Sequence, residues 1–303
     1  MRGTTDKILN YTFYTGKDVY SDGDIEDEIL DMVRSGKDTE EILRKDGRWP
    51  VLYHLSSLRE NLLSWYPMEA DANVLEIGAG CGAITGCLCR KAGHVDAVEL
   101  SERRAKINAA RNQEADNLTI YIGNFEDFVP ERKYDYITLI GVLEYCASYI
   151  HTENPYRDML KKVRSYLKPD GQLIIAIENK FGMKYWAGAK EDHTGRYFEG
   201  MEDYCNTSGV RTFTKIGLQR LLQKSGYGHL HFYYPQPDYK MPLTIYSDQY
   251  MPKAGDLRNI TFTYDQDRMQ LFREEAAYDS LCRDDMFGYF ANSFLVFAGK
   301  EGR

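Results

Sequence analysis

Residues 74–88 read VLEIGAGCGAITGCL. A short apolar run stops at three glycines on alternate positions, Gly78, Gly80 and Gly82, and the chain then continues into helix-compatible residues. Glycine serves where backbone must turn tightly or come close to another group. At the end of a first strand in an α/β chain, that group is usually a nucleotide-like ligand.

Outward from this turn, strand and helix alternate. VLEIG is a strand and 82–92 a helix; HVDAVEL is a strand, and SERRAKINAARNQ a helix with Ser101 as N-cap. LTIYIG and YDYITLIG are strands, 155–167 a helix, KPDG a turn and QLIIAIE a strand. TKIGLQRLLQKSGY is a helix, and HLHFYYP and NSFLVFAG are strands. This order predicts an α/β fold with a mostly parallel sheet covered on both faces. Two stretches, 179–211 and 236–291, are too long for simple connections and are expected to be functional or to hold small elements.

The first 69 residues read as a helical cap, leaving 70–303 as the main domain. DGDIEDEILDMVRSG predicts a helix whose acidic start suits the helix dipole; it lacks the glycine and glutamate of a calcium loop. In VLYHLSSLRENLLSWYP, Leu52, Leu55, Leu58 and Leu62 recur at helical spacing and predict one amphipathic helix. The composition, 43% hydrophobic and 28% charged over 303 residues, is that of a globular chain. A net charge of −8 argues against a nucleic-acid partner, whose phosphates call for clustered Lys and Arg. No apolar window reaches the roughly 18 residues of a membrane span, and the start lacks the apolar core of a secretion signal. The six cysteines are scattered, with neither paired metal spacing nor a disulfide framework. These features predict a reduced, cytoplasmic protein.

GAGCGA fits the dinucleotide fingerprint, and Glu99 ends the second strand where a carboxylate would grip ribose hydroxyls. On these two features a nicotinamide cofactor and S-adenosylmethionine both remain open, as does a turn with no ligand. Five segments in order carry more. E-x-G-x-G-x-G at Glu76–Gly82, VELS at 98–101, GNFEDF at 123–128, YDYITLIGVLEY at 134–145 and YLKPDGQLIIAIEN at 166–179 resemble the class I S-adenosylmethionine-dependent methyltransferases, over roughly 70–300. The resemblance implies a Rossmann-like, doubly wound sheet of seven strands with the last antiparallel, here with the N-terminal helices as a lid. It implies that Gly78, Ala79 and Gly80 approach the methionine part of the cofactor, with Glu76 orienting the loop or the ammonium group. Glu99 would accept from both ribose hydroxyls with Leu100 beside it, Asn124 would pair with adenine, and Phe125 would pack on its face. Gly141 and Val142 would line the sulfonium, and Arg59 would pair with the methionine carboxylate.

A narrower resemblance rests on YHLSSLREN at 53–61, ENKFGMKYWAGAKEDHTGRYFEG at 178–200 and FYYPQPDYKMP at 232–242. These look like methyltransferases encoded with, or fused to, bacterial glycosyltransferases of surface-polysaccharide pathways. That implies a sugar or glycan acceptor, a glycosyltransferase partner and room for a longer parent protein. The 179–200 segment interleaves ionisable and aromatic residues, Trp186 among them, as a sugar site does. His193 is the expected general base, oriented by Asp192; Glu144, Tyr145 and His151 form a rival acid–base set. Tyr233, Tyr234, Tyr239, Tyr246 and Tyr250 form either a sugar-binding wall or packing. No metal-binding arrangement stands out, so metal independence is expected. The alternatives are N- or C-methylation of another small metabolite, and a non-catalytic module partnering a glycosyltransferase.

Overall fold

The structure is a computed structural model that describes residues 7–17, 23–259 and 268–300. It forms two compact units, Met1–Leu139 with Tyr166–Gly171, and Ile140–Ser165 with Gln172–Arg303.

In the first unit, β1 (Leu9–Phe13), β2 (Asn73–Ile77), β3 (His94–Glu99), β4 (Leu118–Gly123) and β5 (Tyr134–Ile140) are parallel, in the order β1-β4-β3-β2-β5. Val74, Leu75, Val95, Ala97, Ile120 and Ile137 are fully buried. Near-continuous apolar strands of this kind belong to a parallel sheet covered on both faces. The helices are α1 (Ile25–Arg34), α2 (Thr39–Lys45), α3 (Trp49–Leu55), α4 (Thr85–Lys91) and α5 (Glu102–Arg111), with Ser101 capping α5 as expected.

Ile29, Ile42, Val51 and Leu55 from α1–α3 share one apolar cluster with Ile107 of α5 and Cys81 of the glycine turn. Inside the same interface the Arg104 Nε donates to Glu26 at 2.6 Å, with Glu26 fully buried. The boundary expected at residue 69 therefore falls within this unit. The single helix expected over 50–66 is divided: Ser56 leaves the helix at ψ 131°, and its hydroxyl accepts from the Leu58 amide at 3.3 Å to open a 3-10 turn, Ser57–Leu62. Serine competes with helical hydrogen bonding in this way, and it outweighs the leucine spacing here.

In the second unit, β6 (Leu167–Glu178, its first five residues in the first unit), β7 (Tyr227–Gln236), β8 (Thr244–Ser247) and β9 (Ser293–Lys300) lie in the order β6-β9-β7-β8. β9 is antiparallel to both neighbours, and β8 to β7. The helices are α6 (Cys146–Tyr149), α7 (Pro155–Tyr166), α8 (Met183–Trp186), α9 (Lys215–Lys224), α10 (Glu274–Arg283) and α11 (Phe287–Phe290).

The described residues thus carry nine strands where seven were expected. The additions, β1 and β8, are short outer strands made by LNYTF and TIYS. Gly123 shows how closely β1 is applied: a Cβ there would sit 2.3 Å from the Phe13 carbonyl oxygen. KPDG, expected as a turn, is extended within β6. Lys168 pairs there with Asp135 at 2.7 Å, and Gly171 passes so close that a Cβ would lie 2.7 Å from the Tyr134 carbonyl oxygen. The 236–291 stretch carries β8, α10 and α11, while its residues 260–267 lie outside the described ones. Among the described residues, no helix is long and apolar enough to cross a membrane.

Candidate functional site

The glycine turn follows β2 and is pinned to β3: the Gly78 and Ala79 amides both donate to the Val98 carbonyl, at 2.8 and 3.2 Å. Gly78, Gly80 and Gly82 have φ of 71°, 55° and 78°, the left-handed region that glycine enters without steric cost. They differ in surroundings. A Cβ on Gly82 would lie 2.4 Å from Asn108 Oδ1, whereas one on Gly80 would meet nothing within 4 Å. Gly82 lets α5 pack closely; Gly80 faces open space, as a ligand-binding turn requires.

Glu99 braces this turn from the end of β3. Its Oε2 accepts from the Gly80 amide at 2.7 Å and its Oε1 from the Ser101 amide at 2.9 Å. Burial pushes its pKa up, against the two amides and Arg104. Leu100 follows, half-buried. Glu76 is buried and accepts from the Thr85 hydroxyl at 2.5 Å, which accepts in turn from Asn108. Burial lifts the Glu76 pKa to about 8, only partly opposed by Thr85. A carboxyl that keeps its proton in the fold stabilises it fully below the unfolded-state pKa, and that contribution is lost as pH rises through the folded value. The difference in melting temperature between the chain and its Glu76→Gln variant should therefore depend on pH. It should shift in the variant's favour between about pH 4.5 and 8, as measured by calorimetry over that range.

Arg111, which sequence reasoning missed, donates to the carbonyls of Cys81 (2.9 Å) and His54 (2.6 Å) and so ties the N-terminal helices to the glycine turn. Nothing in its local sequence separates it from the other basic residues of α5. Arg59, expected to meet a carboxylate, is buried with its guanidinium 4.2 Å over the Tyr53 ring. Asn124 Oδ1 accepts from the Glu126 amide at 3.0 Å. Phe125 is buried against Phe128 and Tyr166, with centroids at 6.2 and 5.9 Å.

The second unit holds a distinct cluster of ionisable groups. Glu178 ends β6, Glu144 lies in the 3-10 turn Leu143–Tyr145, and Glu191 and His193 belong to the 179–200 segment. His193 Nε2 lies 3.9 Å from Glu144 Oε1 and 3.8 Å from Glu178 Oε2, while its Nδ1 is 2.9 Å from Glu191 Oε1. Tyr145 meets the imidazole edge-on at 5.2 Å. Both glutamate carboxyls, Glu144 and Glu178, are fully buried, and none of their four oxygens has a hydrogen-bond partner; Lys240 Nζ lies 3.3 Å from one of them without bonding geometry. Burial and Glu178 hold the Glu144 pKa well above its usual value. For His193 burial works downward, but Glu178, Glu191 and Glu144 outweigh it and raise the pKa to about 9.

These contacts bear on two expected roles. The surrounding carboxylates favour the protonated imidazole, the form that gives up a proton rather than takes one. Asp192 does not orient it. Asp192 accepts from Lys184 (2.7 Å), Lys240 and Tyr185 (3.2 Å), and it is Glu191 that contacts the imidazole. Neighbouring residues point opposite ways here, so Asp192 belongs to a buried ion-pair network. Burial alone would raise the Asp192 pKa, but the two lysines hold it well below the carboxylate range.

Other expected residues sit apart from the cluster. His151 is exposed and Trp186 is 43% exposed. Tyr234, Tyr239 and Tyr246 are buried, with Tyr234 edge-on to Phe287 and Phe294, so they pack rather than form a wall. Gly141 (φ 68°) and Val142 belong to the second unit, where a Cβ on Gly141 would lie 2.9 Å from the Tyr239 hydroxyl.

Residues 51–231 match the family model described as a methyltransferase domain. Among curated proteins, the chain is 26% identical over 156 residues to a demethylmenaquinone methyltransferase of Tropheryma whipplei, covering 48% of this chain and 62% of that one. It is also 26% identical over 150 residues to a ubiquinone biosynthesis O-methyltransferase of Rickettsia bellii, covering 48% and 60%. The chain thus spans about three fifths of the length of these relatives. Among solved structures, the CcbJ methyltransferase of Streptomyces caelestis is similar in fold, with a TM-score of 0.50 at 14% identity over 93% of this chain and all of that one. The fold is Rossmann-like with a mixed sheet.

Proposed function

The chain belongs to the methyltransferase domain family, an S-adenosylmethionine-dependent methyltransferase by that membership, and from this premise we propose that it methylates a hydroxyl of a small acceptor of the sugar class. The glycine turn and Glu99 hold the cofactor in this reading. The observation that carries the hydroxyl acceptor is the buried cluster of Glu144, Glu178 and His193. A hydroxyl must lose a proton as it attacks the methyl group, and a buried carboxyl of this pair without a hydrogen-bond donor is able to receive it in its ionised form.

The choice of a sugar has separate support. Glu178, Lys184, Glu191, Asp192 and His193 come from the 178–200 stretch, and Lys240 from 232–242. These are the stretches that resemble glycosyltransferase-associated methyltransferases, so the narrower likeness coincides with the ionisable cluster. The surface-polysaccharide setting and a glycosyltransferase partner rest on that likeness alone.

The test is incubation of the chain with S-adenosylmethionine and a panel of nucleotide sugars and glycans, followed by mass spectrometry. The expected result is a gain of one methyl group on a hydroxyl, with an equal amount of S-adenosylhomocysteine formed. N-methylation is favoured by one property of the same cluster, since two buried carboxylates would also pair with an acceptor ammonium group. Products methylated only at nitrogen would replace the first reading with the second.

A further inference from the structure

We propose that Glu144, Glu178 and His193 form a binding site for one divalent first-row metal ion of the manganese or zinc kind. The three residues are separated by 34 and 15 positions in the chain, so no metal-ligand spacing shows in the sequence, which led to the expectation of metal independence. The fold assembles them: each offers one ligand atom, and these atoms all lie within 4.8 Å of one another. Ligand atoms at about 2.0–2.2 Å from an ion stand roughly 3–3.5 Å apart. The widest separation therefore needs to close by at most about 1.3–1.8 Å, while His193 Nε2 already stands 3.8 and 3.9 Å from the two carboxylates.

Three further features point to a cation. The four oxygens of Glu144 and Glu178 are buried with no hydrogen-bond donor. Such groups are costly to bury unless a partner compensates them. Within the protein the compensation is thin: Lys240 Nζ, 3.3 Å from Glu178 Oε1, is hydrogen-bonded to Asp192, and His193 Nε2 stands 3.8 and 3.9 Å from the two glutamates, beyond hydrogen-bonding range. The third feature is the histidine's orientation. With Nδ1 donating to Glu191 Oε1 at 2.9 Å, Nε2 faces the two glutamates. A metal-bound histidine characteristically donates its other ring N–H to a carboxylate, which fixes the tautomer and orients the ring. Glu191 is itself held, accepting from the Thr194 amide at 2.8 Å and the Tyr204 hydroxyl at 3.2 Å. Mixed imidazole and carboxylate ligands suit manganese, iron(II) or zinc better than the all-oxygen preference of magnesium or calcium.

Binding would displace the proton of the imidazole, as metal ligation generally does. An ion there would take an acceptor hydroxyl as a further ligand and lower its pKa. That last step rests on the proposed methylation of a hydroxyl; the site itself does not.

The experiment is calorimetric titration of Mn2+, and separately of Zn2+, into the full chain after chelator treatment. The same samples are titrated with S-adenosylhomocysteine to show that the fold is intact. One ion per chain is expected. Glu144→Gln, Glu178→Gln and His193→Ala should each weaken it at least about tenfold, with the nucleoside affinity retained. Glu191→Gln should weaken it by about 10-fold through the loss of ring orientation. Two results would overturn the site: a chain competent for S-adenosylhomocysteine that takes up neither ion, or uptake unchanged in all three ligand variants. Full methyl transfer by the stripped chain overturns the metal's part in activating the hydroxyl and leaves the proposed function standing. A bound ion lost in the variants, together with no methylated hydroxyl product, supports the metal and overturns the function.

Discussion

Glu99→Ala is expected to raise the dissociation constant for S-adenosylhomocysteine by about 10²–10³-fold. Hydrogen bonds to a charged group contribute roughly 1.5–3 kcal/mol each, and two ribose hydroxyls would share this carboxylate. About 3–4 kcal/mol of lost binding gives that range, at 1.4 kcal/mol per tenfold. The geometry adds a second effect, because both carboxylate oxygens already accept backbone amides of Gly80 and Ser101. The alanine variant deprives those amides of acceptors and should also lower the melting temperature. Glu99→Gln separates the effects: it retains one acceptor oxygen, so most of the stability should remain while cofactor affinity still falls at least tenfold. Calorimetric affinity in the glutamine variant equal to that of the parent chain would remove Glu99 from the cofactor site.

Asp192→Ala should cost about 3–5 kcal/mol of stability, the usual result of breaking a buried ion pair from one side. Lys184 and Asp192 have side chains only 1% and 4% exposed, and Lys240 bonds to the same carboxylate. Removal of Asp192 leaves two largely buried ammonium groups with one fewer counter-charge. Lys184→Met in the Asp192→Ala background should restore part of the loss, because the buried charge then disappears with its partner. Urea denaturation of the single and double variants measures both. A stable single variant would mean that the lysines find other carboxylates, Glu178 at 3.3 Å from Lys240 and Asp238 at 3.7 Å from Lys184 being the near alternatives.

Sequence patterns carried the parallel strands well, because a sheet buried on both faces demands apolar runs that cannot be mistaken. VLEIG, HVDAVEL and LTIYIG all stand where their composition put them. The edge strands were illegible by comparison: LNYTF and TIYS are short, half-exposed and mixed in polarity. The glycine turn and its bracing Glu99 were legible because φ above zero and a strand-end carboxylate leave local marks. The acid–base cluster was only partly so. His193 stood out as a residue type, but its charge state is set by Glu178, fifteen positions earlier, and by Glu144, farther still. Which of Glu191 and Asp192 would face it depended on the path of the loop. That path includes left-handed backbone at Phe198, Asp203 and Tyr204, which no rule of spacing foretells.

β9 lies between β6 and β7, hydrogen-bonded to each along most of its length. In chain order it comes last of the nine strands, so the sheet of the second unit is filled in from its middle by its latest-made segment. β6 and β7 lack this shared partner until residues 293–300 have been synthesised. The parallel strands of the first unit have by then long been available to pair. On a ribosome, where domains fold as units and the N-terminal one first, the glycine turn would be formed while the second unit still exposes two unpaired strand edges. Nascent chains at that stage are the form of this protein most exposed to edge-to-edge association.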